Sequence, residues 1–70
     1  MKIVLSYHAK KRLIERSINI KDIEETIEMP DYTVSKWNKK EAYRKIKDRT
    51  LKVVYFQEEK YIKVITLIWK

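Results

Sequence analysis

Cysteine and glycine are both missing from this chain, proline occurs once, at Pro30, and histidine once, at His8. Without cysteine there is no disulfide framework, no thiolate zinc site and no thiol nucleophile, a composition that suits a reducing, cytoplasmic setting. Without glycine there is no phosphate-cradling P-loop and no dinucleotide fingerprint. Every turn must be built from Asn, Asp, Lys, Glu or Pro. A lone histidine with no second ligand at helical spacing is poor for a transition metal, so neither a metal nor a cofactor is expected. No stretch approaches the ~18 apolar residues of a membrane span, and the opening "MKIVLSYHAKK" is too short in apolar residues for a secretory signal. The expectation is a chain without a membrane segment.

What is present is aliphatic and basic. Ten Ile, five Val and four Leu in 70 residues supply one core, so a single domain over 1–70 is expected. Seventeen Lys and Arg stand against ten Asp and Glu, a net charge of +7. Residues 22–31, "DIEETIEMPD", hold five of those acids and no base, leaving the other residues at a net +12. Such an excess suits a polyanion, RNA first, because neutralised phosphates release their condensed counterions. Solubility alone, or the Lys- and Glu-rich surface of a thermophile, which the many Ile and the single Gln would also suit, would give the same totals.

The hydrophobic period changes along the chain. "KIVLS" (Lys2–Ser6) reads as a short strand. Ser6 is placed to cap a helix from about Tyr7 to Ser17, with Ala9, Leu13 and Ile14 on one side, His8, Arg12 and Glu15 opposite, and Arg16 at the border. Asn19 is a second N-cap, with Asp22 three residues on as in a capping box. Ile18 is set to staple onto Ile23, and Ile20, Ile23 and Ile27 recur until Pro30 stops that helix near Met29. Beyond Pro30 the period becomes two. Strands are expected over Tyr32–Trp37, Ala42–Lys47, Thr50–Phe56 and Tyr61–Trp69, joined by "NKKE", "DR" and "QEEK". The last is apolar on both faces and belongs inside the sheet. The fold class is α+β in the order βααββββ, with two tandem helices on one face of a four-stranded antiparallel meander. The face left open should carry residues such as Tyr43, Lys45, Tyr55 or Phe56, as a substrate platform or as a homodimer interface.

The chemistry-bearing stretch is "SYHAKKRLIER". The single histidine, His8, precedes Arg12 and Arg16 at successive four-residue steps; histidine is the residue type that gives or takes a proton near neutral pH, and arginine grips phosphate with two parallel N–H bonds. Metal-free RNA cleavage needs a base for the 2′-hydroxyl, cations for the phosphoryl oxygens and an acid for the leaving oxygen. His8, Arg12, Arg16 and a strand base, Arg44 or Lys45, supply such parts, with Tyr55 as a weaker second proton carrier and Lys11 as a further phosphate contact. Arg44 and Lys45 point to opposite sheet faces, so only one of them can serve a given site. Equally, the basic helix face is a solvated surface on which His8 does nothing, and Arg16 pairs with a neighbouring acid.

The opening Ser6, His8, Ala9, Arg12, Leu13, Arg16 and Ile18, followed by a helix closing at a proline, "AYRKIKD", "LKVVYF" and a final "IKVITLIW", resembles domain-of-unknown-function family 4258 over essentially the whole chain. That family usually has glycine after the second arginine; Ser17 stands there. The resemblance implies a RelE/barnase-like fold and, with it, a small metal-independent endoribonuclease of toxin type. His8, Arg12 and Arg16 would lie in the site, with Arg44 and, on the last strand, Thr66 as companions, and an acidic antitoxin would be the natural protein partner. The alternative is a non-catalytic module of the same fold that binds nucleic acid or protein.

Overall fold

The computed structural model describes residues 2–70. The order is β1 (Ile3–Leu5), α1 (Tyr7–Glu15), α2 (Ile20–Glu28), β2 (Tyr32–Lys36), β3 (Lys39–Ile46), β4 (Arg49–Gln57) and β5 (Ile62–Trp69). The chain is α+β in the expected order βααββββ. The sheet, however, has five strands, ordered β1-β5-β4-β3-β2, and is mixed: β1 runs parallel to β5, while the other three pairings are antiparallel. The N-terminal strand thus completes the sheet instead of standing outside a four-stranded meander. The reason lies in β5. Apolar on both faces, it needs backbone partners on both edges, and β1 supplies one while β4 supplies the other.

Both helices cover one face. Ala9, Ile18, Ile23 and Ile27 pack there against Ala42, Leu51, Val53, Tyr55, Ile62, Val64 and Leu67. Along α1 the inward stripe is Ala9, Leu13 and Arg16, at i, i+4 and i+7. Ile14 lies about 100° further round from Leu13 and is 76% exposed, which corrects its expected place in the core. In α2, Ile23, Thr26 and Ile27 are buried, whereas Ile20 remains half exposed. The Thr26 hydroxyl donates to the Asp22 carbonyl at 2.7 Å, so its burial leaves no orphaned group. Asn19 holds the N-cap position, but its side chain makes no cap bond; its carbonyl accepts from Asp22 N and Ile23 N instead. Among the described residues no helix is long and apolar enough to cross a membrane.

Turns without glycine are made at a conformational cost. Both tight hairpins turn on two residues, Trp37–Asn38 and Lys47–Asp48, rather than on the expected "NKKE" and "DR". Trp37 and Lys47 take φ of 51° and 61°, the left-handed region that hairpin turns ask for at their first position. The third positive φ, 51°, is at Ser17. There Ile18 N donates to the Leu13 carbonyl and Ser17 N to the Ile14 carbonyl, at 2.9 and 3.4 Å. These two bonds form a Schellman closure of α1, whose C′ residue is normally glycine. The closure ends the helix at Glu15, two residues short of the expected Ser17.

Candidate functional site

Helix α1 lies along β5 and is pinned at both ends. At its start the Ser6 hydroxyl accepts from Ala9 N at 3.0 Å and donates to the Ile65 carbonyl at 2.9 Å, beside the irregularity where β4 and β5 shift register. At its end an Arg16 Nη1–H donates to the Leu67 carbonyl, and the Trp69 indole N–H donates to the Arg16 carbonyl at 3.0 Å. Arg16 therefore follows the inward stripe to the sheet and does not share the outer face with His8. Eight residues also separate the two along the axis, about 12 Å.

The expected phosphate clamp is thus dispersed. His8 stands exposed in the first turn. Arg12 donates to the Glu15 carboxylate at 2.7 Å, and that hydrogen bond, with Arg12, Lys11 and Arg16 as nearby cations, holds the Glu15 pKa below the ordinary carboxylate value. Lys11 is exposed on α1. Arg44 points under the helices, where it donates to the Met29 carbonyl at 2.7 Å and lies 4.0 Å from Glu25. It closes the C-terminus of α2, where a cation suits the helix dipole. Lys45 faces the other way and is exposed, as strand alternation requires; its backbone N–H donates to Asp31. Tyr55 is 5% exposed within the helix-side core, and burial raises its pKa. It is out of reach of a nucleic acid. Thr66 pairs with Val54 on the open face. Of the eight residues singled out from the sequence, His8, Lys11 and Arg12 stay together on α1, Arg12 and Arg16 both lie near Glu15, and none of these meets Arg44, Lys45, Tyr55 or Thr66 in one hollow.

A cleft of about 520 Å³ does exist, at the C-terminal end of α1, lined by Glu15, Arg16, Ser17, Arg49, Ile68 and Trp69. The Arg49 guanidinium lies 4.5 Å above the Trp69 ring. Arg16 spends one of its five N–H donors on Leu67, so its remaining donors are free to serve the cleft. Two guanidinium groups and an indole around one hollow can hold an anion and an aromatic ring together. Arg49 and Trp69 escaped sequence reading because "DR" passed for a turn and Trp69 for one more apolar strand residue. The missing signal was register: the Lys47–Asp48 hairpin makes Arg49 the first residue of β4, and Leu51 pairs with Trp69.

The open face carries a second constellation. Glu41 is 6% exposed although no helix covers it, and it accepts from the Tyr43 hydroxyl at 3.2 Å, with Lys52 and Lys36 at 3.5 and 3.8 Å. Burial alone would raise the Glu41 pKa, but Lys52, the Tyr43 hydroxyl and Lys36 together bring it below the usual value. Burial works against the Lys52 ammonium in the same way, and Tyr43 and Glu41 more than offset it, so its pKa is raised. Tyr32 stacks on Tyr43 with centroids 4.5 Å apart and planes 11° from parallel.

Compared with known proteins, the chain matches the family described as Domain of unknown function (DUF4258) over residues 5–69. No curated protein and no solved structure matches it.

Proposed function

This chain belongs to the DUF4258 family, and from that premise we propose that it binds single-stranded RNA, with the cleft at the end of α1 as a phosphate-and-base contact in a cytoplasmic setting. The observation that carries this is the Arg49 guanidinium stacked 4.5 Å over Trp69 beside Arg16, on a chain of net charge +7. The arginines hold phosphate oxygens, and the indole edge and the guanidinium plane offer a surface to a base. Titration of a labelled oligoribonucleotide, followed by anisotropy, tests it. Affinity should fall steeply as salt rises, and Arg49→Ala should weaken binding about tenfold or more. Affinity that ignores both salt and Arg49 ends this proposal.

A second reading, a metal-independent endoribonuclease of toxin type with a RelE/barnase-like fold, is favoured by one observation. Glu15 brings a carboxylate into the same cleft, between Arg12 and Arg16. There it would take the proton of a 2′-hydroxyl as that oxygen attacks phosphorus and the P–O5′ bond breaks, the 5′-oxygen taking a proton from solvent water to leave as a hydroxyl and a 2′,3′-cyclic phosphate remaining. His8, at the far end of α1, is outside this geometry. Because Arg12 holds Glu15 ionised and weakly basic, the reading stands second. It predicts cleavage that Glu15→Gln abolishes and His8→Ala spares. RNA that survives incubation with nuclease-free protein, while still bound, selects the binding reading.

A further inference from the structure

On the open face, three side chains form one straight row across three strands. Register sets Tyr32 opposite Tyr43, Tyr43 opposite Lys52, and Lys52 opposite Ile68. Neighbouring strands lie about 4.8 Å apart, which is near the spacing of stacked rings, so direct pairing alone brings Tyr32 and Tyr43 face to face at 4.5 Å. The Lys52 ammonium covers the other side of Tyr43, 5.7 Å from its ring centre. The Tyr43 hydroxyl is held by Glu41. Tyr43 is therefore fixed on both ring faces and at its tip, and it orients Tyr32 in turn.

Tyr32 is on β2, the edge of the sheet. Among the described residues no strand lies beyond it, and the residue is 56% exposed, so the stack ends on a ring with an open outer face. Apart from Asp31, which precedes Tyr32 and accepts from the Lys45 backbone N–H at 2.7 Å, the strands are basic. Glu41 is the only acid in all five strands, against eight bases, and it is buried and neutralised by two lysines. Such an excess of bases suits a polyanion.

We infer that Tyr32 is a base-stacking platform on which a nucleobase of single-stranded RNA extends the Lys52–Tyr43–Tyr32 row. The inference rests on the RNA-binding reading and adds a second contact to it. Ile68, at the inner end of the row, also lines the Arg49–Trp69 cleft, so a strand leaving the cleft passes onto the open face and reaches Tyr32 after about 14 Å, three strand spacings. Because the ring is already oriented, little freedom is lost when the base arrives. The contact reads any base, since every base has a π face.

The test compares a labelled single-stranded oligoribonucleotide with an abasic ribose-phosphate strand of the same length. Tyr32→Ala should weaken binding of the first about tenfold and leave the second unchanged, while Tyr32→Phe, which keeps the ring, should bind both as the unaltered protein does. On the unaltered protein, the Tyr32 ring protons should shift upfield in NMR spectra when the oligoribonucleotide is added. An equal loss on both strands, or ring protons that do not move, overturns the platform. If Arg49→Ala loses affinity while Tyr32→Ala does not, the platform falls and the cleft stands. If neither strand binds the unaltered protein, both fall.

Discussion

The two faces of this sheet are closed by different means. The helix side is covered by two short helices, and its interior is aliphatic, with Leu51, Val53, Val64 and Leu67 at no exposure. The open side has no helix, yet Glu41, Tyr43 and Val54 are buried there too. Long side chains from adjacent strands do the covering: Lys36, Lys52 and Tyr32 lean over their neighbours and keep their charged or polar ends in reach of water. A small domain can thus bury a second layer without spending chain on another helix. The layer it makes is held by charge and stacking, and so depends on pH and salt more than the first does.

The sharpest way to break that contrast is to cut each side once. On the helix side, Leu67→Ala should cost about 2–5 kcal/mol in urea unfolding, the range for a buried leucine whose site collapses only partly. On the open side, Glu41→Gln should cost less, about 1–3 kcal/mol at neutral pH, by leaving Lys52 half-buried without its counter-charge. Equal losses would mean that the open layer is as much core as the other. The arginines sharpen the contrast further. Arg16→Ala, which frees the Leu67 carbonyl in a part-buried setting, should cost about 1.5–3 kcal/mol, whereas Arg44→Ala, at an exposed helix end, should cost about 1 kcal/mol or less.

Titration separates the open face from the helix side. Glu41 has a folded-state pKa below its unfolded value, so its contribution is present in full above the unfolded pKa and is lost as pH falls through the depressed one. Stability should therefore decline on the acid side of the carboxylate range, and Glu41→Gln should flatten part of that decline. Lys52 runs the other way: its raised pKa gives stability that is whole below the unfolded value and fades as pH climbs through the folded one. Leu67→Ala should shift the entire curve without changing its shape. The smallest expected effect has the opposite direction. Ser17→Gly relieves a left-handed residue at the closure of α1 and should stabilise by up to about 1 kcal/mol, seen as a later urea midpoint with unchanged slope.

Much of the fold was legible because it is written in local periods. Ser6 as a cap, the change of period at Pro30 and the doubly apolar "YIKVITLIW" each have a cause within a few residues, and each led to the right element. The site was less legible. His8, Arg12 and Arg16 share a sequence spacing, but Arg16 is also i+7 from Ala9, and the apolar stripe drew it inward. Arg44 matched the basic-aromatic pattern and is used to close a helix. Arg49, Trp69 and Tyr32 had no local mark at all.

The order and type of the seven elements, the aliphatic core and the surplus of positive charge were set by the sequence alone, because periodicity, capping and composition act over one or two turns of chain. Which arginines meet a carbonyl and which meet a cleft, that β1 closes the sheet beside β5, and that Lys52, Tyr43 and Tyr32 fall into one row were decided only by the tertiary structure. Strand register fixes those meetings between residues that lie far apart along the chain, and only for β2–β3 and β3–β4 does a two-residue turn set that register locally.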